Sequence, residues 1–270
     1  MIRKMHLLSS FSVFLMFFTA CSSDEEIDMV LPEGTEAVDD SDEKKDDESD
    51  ENTAEPVSGA VTCKDVSTYV FNEKDGIIFV EFENAKFTGD WKLKTNGSSY
   101  SGDGYMVWEG TQNMGNPGIG ATTYKLKINN PGTYQFLWHS AVTTGDDGTE
   151  HNDSWLRFND ATDFYGQKRQ SDSRVFPKDR GKTPNPEGAS KDGWFKIYRS
   201  GSDVDFKWQS STSDNDAHDI FVEFDKPGTY LMEVSARSSG HGIDKFVLFN
   251  TSLERADAIT IETFSAITCD

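Results

Sequence analysis

The stretch Asn130-Pro131-Gly132-Thr133-Tyr134-Gln135-Phe136-Leu137-Trp138-His139-Ser140-Ala141-Val142 carries a turn signal followed by an alternating run. Proline sets φ for the first position of a turn and glycine accepts the positive φ of the second, so Pro131-Gly132 turns the chain into an extended segment. Beyond it Tyr134, Phe136 and Trp138 fall on one side, and Thr133, Gln135 and His139 on the other. A period of two is that of a half-buried strand, and it assigns the three aromatics to a core. The same punctuation returns at Lys226-Pro227-Gly228-Thr229-Tyr230, ahead of a second strand of this kind.

On either side of this stretch, runs of β-type composition recur between turn signals: Ile77 to Phe82, Tyr105 to Trp108, Thr122 to Ile128, Trp155 to Phe158, Trp194 to Tyr198, Val204 to Trp208, Asp219 to Phe224, Thr229 to Ala236, Ile243 to Phe249 and Ala258 to Phe264. With no long helical periodicity among them, they predict an all-β domain, an antiparallel β-sandwich. The segment from Asp163 to Gly193, with Pro177, Pro184 and Pro186, is too long for a plain connection and reads as a functional or mobile insertion.

The whole chain has 270 residues and a formal net charge of -21. Such a charge repels a phosphate backbone and argues against nucleic acid as a partner. Most of the imbalance lies in one place. Residues 22–58 hold 16 acids against Lys44 and Lys45, while 59–270 carry a balance of only -9. The acidic stretch has too little apolar surface to offset its ordering entropy and reads as an extended spacer. Ahead of it, Arg3 and Lys4 precede an apolar run from Leu7 to Ala20 that is too short to cross a bilayer, the pattern of a secretory signal. Three segments follow: a signal over 1–20, Cys21 with the acidic spacer over 21–58, and a folded region over 59–270.

Phe18-Thr19-Ala20-Cys21 resembles a lipobox, and Ser22-Ser23-Asp24-Glu25-Glu26 resembles the acid-rich tag of Bacteroidota-type surface lipoproteins. The resemblance implies a lipid-modified Cys21 and a protein held at the outer membrane, exposed at the cell surface, by its acyl chains alone. Export leaves Cys63 and Cys269 in an oxidising compartment, where a disulfide joining the ends of the folded region is expected, unpaired thiols being the alternative. That bond would close a loop of about 200 residues and constrain the unfolded chain by roughly 4 to 5 kcal/mol.

The sequence contains no GxSxG elbow, no HExxH and no phosphate-binding loop, and Gly118-Ile119-Gly120 lacks the context of a dinucleotide site. Paired carboxylates are too abundant for any one pair to stand out as a glycosidase dyad. Glu81 and Glu83, two apart on an expected strand, project from one face, with Asp244 in the last core strand as a further oxygen donor. Oxygen ligands of this type suit calcium, although solvent-facing acids have the same spacing.

In order along the chain, Val80-Glu81-Phe82-Glu83, Tyr100-Ser101-Gly102-Asp103-Gly104-Tyr105, Pro131-Gly132-Thr133-Tyr134 and Gly242-Ile243-Asp244-Lys245-Phe246-Val247-Leu248 resemble successive signatures of carbohydrate-binding module families 6 and 35. The resemblance runs from about Ile77 to Asn250. It implies a galactose-binding-like jelly-roll sandwich in which Glu81, Glu83 and Asp244 hold a structural calcium ion, assisted by carbonyls of the Ser101 to Asp103 turn. It further implies noncovalent polysaccharide binding without catalysis, in loops at one end of the sandwich, for a partner of a glycan-uptake complex. A surface hydrolase or lyase, and an adhesive protein with a protein partner, are the rival readings.

A sugar site needs an aromatic face and a few aimed polar groups. The clusters His151-Asn152-Asp153 and Asp214-Asn215 lie at expected loop-to-strand junctions, and Arg237 and His241 lie in the turn before the last core strand. Tyr165 and Trp194 are candidate stacking platforms, as are Trp91 and Trp108. Turn chemistry for the polar residues and core packing for the aromatics are the structural alternatives. A lysine or arginine among them would matter for a polysaccharide bearing sulfate or uronate groups.

Overall fold

A computed structural model describes residues 63–270. The signal segment, Cys21 and the acidic spacer lie outside the described residues. The strands are β1 (Tyr69–Asn72), β2 (Ile77–Glu81), β3 (Trp91–Lys94), β4 (Tyr105–Trp108), β5 (Thr122–Ile128), β6 (Gly132–Val142), β7 (Asp153–Phe158), β8 (Asp163–Lys168), β9 (Arg174–Val175), β10 (Ser190–Lys191), β11 (Trp194–Tyr198), β12 (Lys207–Trp208), β13 (Ser211–Thr212), β14 (His218–Phe224), β15 (Gly228–Ser235), β16 (His241–Asn250) and β17 (Ile267–Cys269). A single helical turn, α1 (Arg255–Ala258), precedes the last of them.

The pairings make two layers. In the front layer β8, β14, β6 and β16 lie in that order, and β2 and β4 share the far edge of β16. In the back layer the order is β1, β5, β15, β7 and β11, antiparallel except between β1 and β5. β13 pairs with both β11 and β14, which joins the layers along one edge. The antiparallel sandwich expected from the spacing of the runs is therefore the fold.

Tyr134, Phe136 and Trp138 are completely buried between the layers, with Phe246, Leu248, Leu156, Phe195 and Val222. Each such side chain contributes about 2 to 3 kcal/mol of transfer free energy. The repeated Pro-Gly-Thr-Tyr element has the same job twice. Tyr134 Oη donates to the Asn130 carbonyl at 2.6 Å and Tyr230 Oη to the Lys226 carbonyl at 2.8 Å, so each tyrosine ties its strand back to the residue before its proline.

Cys63 and Cys269 are joined by a disulfide, their Cα atoms 5.6 Å apart across 206 residues of sequence. It lies beside the β1–β17 pairing, so both ends of the folded region are fixed together.

Three expectations need correction. Asp163 to Gly193 is not wholly a functional or mobile insertion, because its first part, β8, runs alongside β14 for six paired residues and buries Phe164 in the core. Ala258 to Phe264 is not a strand. Its apolar residues instead cover the outer face of the front layer, where Ala258, Ile259 and Ile261 pack on the Phe79, Leu137, Val247 and Phe249 cluster, and Phe264 stacks on Phe79 at 4.5 Å. Of Val204 to Trp208, only Lys207–Trp208 is strand.

Glu73 anchors the connection between β1 and β2. Its buried carboxylate accepts from the backbone N–H groups of Gly76, Asn129 and Asn130 and from the Asn130 side chain. Burial alone would raise its pKa; these donors outweigh burial and hold it below the usual carboxylate value. Glu73→Ala leaves those donors without a partner and should cost about 3 kcal/mol in denaturant unfolding. A depressed folded pKa contributes stability that is present above the unfolded value and lost as pH falls through the folded one, so the difference between wild type and variant should shrink in acid.

Candidate functional site

Glu81 ends β2 and Glu83 follows in the next turn. Between them Phe82 is clamped inward. Its N–H donates to the Asp244 carbonyl at 2.8 Å, and its own carbonyl accepts from Tyr124 Oη at 2.5 Å. The two carboxylates therefore meet at the Ser101 to Asp103 turn. Glu81 Oε2 accepts from Ser101 Oγ at 3.0 Å and Glu83 Oε1 from the Asp103 N–H at 2.9 Å. Gly102 (φ +62) passes so close that a Cβ there would stand 2.4 Å from Glu83 Oε1 and 3.0 Å from Glu81 Oε1, so a side chain would collide with the carboxylates.

Asp244 sits at the bulge between Ile243 and Lys245, which turns its carboxyl toward the same place. Its Oδ1 accepts from the Ser101 N–H at 2.9 Å, and its Oδ2 lies 2.8 Å from His139 Nδ1 and 3.3 Å from Lys245 Nζ. Glu81 Oε1 and Glu83 Oε2, by contrast, are buried without any donor. Burial, reinforced by the neighbouring acids, pushes both glutamates up to about 7. Among the described residues no group of three or more His, Cys, Asp or Glu side chains is arranged to hold a metal ion. The two donor-free oxygens of Glu81 and Glu83 are of the kind that suits a hard cation, and Asp244 stands beside them, bound to the same turn.

Two concavities flank the Arg237 to Gly240 turn. One, of about 380 Å³, is lined by His151, Asn152, Asp153, Asp214 and Arg237, five of the residues singled out from sequence, together with Lys196. Asp153 is its keystone: it pairs with Arg237 Nη1, accepts from Ser238 Oγ at 2.6 Å and lies 3.9 Å from Lys196 Nζ. Arg237 lies over the Trp155 ring at 5.1 Å, and its Nε is buried without a partner. His151, at φ +53, is bound through Nδ1 to the Ser239 carbonyl at 2.6 Å. Asn152 is spent on structure, donating to the Arg199 carbonyl at 2.8 Å. The other concavity, of about 580 Å³, is bounded by Lys94, Asn96, Tyr105, Trp108, Glu109 and Thr144 among others.

The remaining sequence candidates lie apart from the first concavity. His241 is buried, bonded to Ser154 Oγ at 2.9 Å and packed on Trp138; burial lowers its pKa to about 3. Tyr165 lies under Arg174 at 4.1 Å and stacks on Phe221, and Trp194 lies under Arg157 at 4.3 Å, so neither offers a free face to a sugar. Asn215 occupies the neighbouring turn at φ +61, without lining the concavity. Trp91 and Trp108 pack edge to face at 5.8 Å, and both are buried. Lys196 escaped the sequence reading, although a lysine between Trp194 and Tyr198 on one face of a strand was the available signal.

No family model and no curated protein matches the chain. Solved structures similar to it include a Podospora anserina GH26-CBM35 β-(1,4)-mannanase (12% identity, TM-score 0.40, 67% of this chain) and an Arthrobacter globiformis isomalto-dextranase complexed with panose (15%, 0.37, 65% of this chain). The chain spans only 29% and 24% of those two proteins' lengths. A family 35 carbohydrate-binding module from Clostridium thermocellum is matched over 98% of its length and 65% of this chain, at 13% identity and a TM-score of 0.37.

Proposed function

We propose that this chain binds polysaccharide without cleaving it, through the concavity that Asp153, Arg237 and Lys196 organise. The convergence of the separated segments around His151, Lys196, Asp214 and Arg237 on one 380 Å³ concavity carries this reading. Fixed charged and amide groups of this kind orient hydroxyls, and a concavity of that size takes a sugar-sized group. In the same reading Glu81 and Glu83 hold a calcium ion that stiffens the Ser101 to Asp103 turn. The lipobox-like Cys21 would place the module on the outer membrane, facing outward at the end of its acidic spacer, among the components of glycan uptake.

The two glutamates raised to about 7 are the observation that favours a hydrolase instead, since a carboxyl protonated near neutrality suits general acid catalysis. Electrophoresis through gels containing plant or algal polysaccharides, run beside a reducing-end assay on the same glycans, separates the two readings. Retention with no new reducing ends is the expected result. Steady release of reducing ends, lost in Glu81→Gln, would establish the hydrolase.

A further inference from the structure

The bend between β3 and β4 carries Asn96-Gly97, the one Asn-Gly step in the 270 residues. An asparagine carboxamide is open to attack by the backbone nitrogen that follows it, and a glycine at that position leaves the approach clear of any Cβ. Here the bend stands away from its surroundings. Gly97 lies at φ +100, and a Cβ placed on it would meet nothing within 4 Å. Among the described residues its N–H donates to no other backbone group, so the attacking nitrogen is not tied down.

The carboxamide itself is held from one side. Asn96 is exposed, and Tyr105 Oη, at the head of β4, donates to Asn96 Oδ1 at 3.0 Å while lying 3.2 Å from its main-chain carbonyl oxygen. Tyr105 is a fixed donor: its ring is buried, edge-on to Phe206 at 5.1 Å and tilted against Tyr100 at 5.6 Å. Burial raises its pKa, so the hydroxyl keeps its proton well above neutral pH. A donor placed in this way faces the oxygen on which negative charge builds when the carboxamide carbon is attacked.

We propose that Asn96 is a self-modifying site, its carboxamide converted to a carboxylate by Gly97 with Tyr105 as the hydrogen-bond donor. The Gly97 nitrogen gives its proton to hydroxide and bonds to Asn96 Cγ, and the charge that develops on Oδ1 is met by Tyr105. The Cγ–Nδ2 bond breaks, Nδ2 takes a proton from water and leaves as ammonia, and a cyclic succinimide remains. Water opens the ring at either carbonyl, which gives aspartate or isoaspartate. The balance is one water consumed and one ammonia released, with no change of oxidation state. Asn96 and Tyr105 both line the 580 Å³ concavity, where Lys94 and Glu109 pair at 2.5 Å and cancel each other's charge. A carboxylate at 96 therefore turns that concavity from neutral to acidic as the protein ages. The proposal is independent of the saccharide reading of the other concavity.

The test is peptide mapping by mass spectrometry of the purified protein after incubation at several pH values, in buffer and in concentrated urea. Wild type, Tyr105→Phe and Gly97→Ala are compared, with Asn96→Asp as the product standard and an unfolding midpoint for each. The amide-to-acid mass gain should appear in the peptide containing Asn96, accompanied by isoaspartate that an isoaspartyl methyltransferase labels. Its rate should rise with pH, because Gly97 must lose a proton, and Gly97→Ala should slow it strongly. In the folded protein Tyr105→Phe should slow it about fivefold, the rate equivalent of one neutral hydrogen bond, and in urea it should change nothing. Should Tyr105→Phe fail to fold, wild type alone decides: conversion in buffer at least as fast as in urea supports the proposal. An Asn96 that converts in urea and stays intact in the folded protein overturns it, as does an equal rate in folded wild type and folded Tyr105→Phe.

Discussion

Asp153→Ala should abolish glycan retention and cost the fold roughly 3 to 5 kcal/mol, the largest loss expected of any single substitution near the concavity. Asp153, Arg237 and Lys196 are all buried, and Asp153 pairs directly with Arg237 while standing 3.9 Å from Lys196 Nζ. Removing it strands Arg237, whose Nε already lacks a partner, beneath the loops and over Trp155. The stability loss is thus chiefly the penalty of an uncompensated guanidinium rather than the worth of one ion pair. That distinction has its own measurement. The double variant Asp153→Leu with Arg237→Met removes both charges, and in denaturant unfolding it should recover most of what Asp153→Ala loses, while retention in glycan gels stays absent. Recovery of binding along with stability would show that the pair serves the fold alone.

The sheet was legible in the sequence wherever alternation and a turn signal coincided. The Pro-Gly-Thr-Tyr elements gave β6 and β15 because proline, glycine and an inward tyrosine each act locally. β8 was hidden for the opposite reason. Gly166 interrupts its apolar side, and only pairing with β14, more than fifty residues away, makes it a strand. Its glycine is needed there, since a Cβ would stand 2.8 Å from Thr212 Cγ2. The segment after Leu253 misled because β-type composition reports that residues will be buried, not how. With the front layer already assembled, Ile259 and Ile261 cover its outer face instead of lengthening it. At the site, polar clusters beside strand ends pointed to His151, Asp153, Asp214 and Arg237, but Lys196 lies within a strand and is exposed as a site residue only by the loops that fold over it. The aromatics Tyr165 and Trp194 failed as platforms because Arg174 and Arg157 already occupy their faces.

Calcium should raise the unfolding midpoint strongly at pH 8 and hardly at all at pH 5. The folded pKa of Glu81 and of Glu83 is raised to about 7, first by burial and then by neighbouring acids: Glu83 and Asp244 around Glu81, Asp244 and Asp103 around Glu83. Ser101 Oγ and Lys245 oppose the shift at Glu81, and the Asp103 N–H opposes it at Glu83. A carboxyl whose folded pKa lies above its unfolded value favours the fold fully below the unfolded value, near 4.5, and that contribution is lost as pH rises through about 7. In chelator the protein should therefore lose on the order of 2 kcal/mol between pH 5 and pH 8. A divalent cation reverses the sign above pH 7, because it binds only the ionised folded pair, and at a hundredfold excess over its dissociation constant it contributes about 2.7 kcal/mol. Glu81→Gln with Glu83→Gln should remove the pH slope and the calcium response together, and should make the chelated protein more stable than wild type at pH 8. A calcium shift that survives in this double variant would place the ion elsewhere. A flat pH profile in chelator would mean that burial and the neighbouring acids do not raise the two carboxyls.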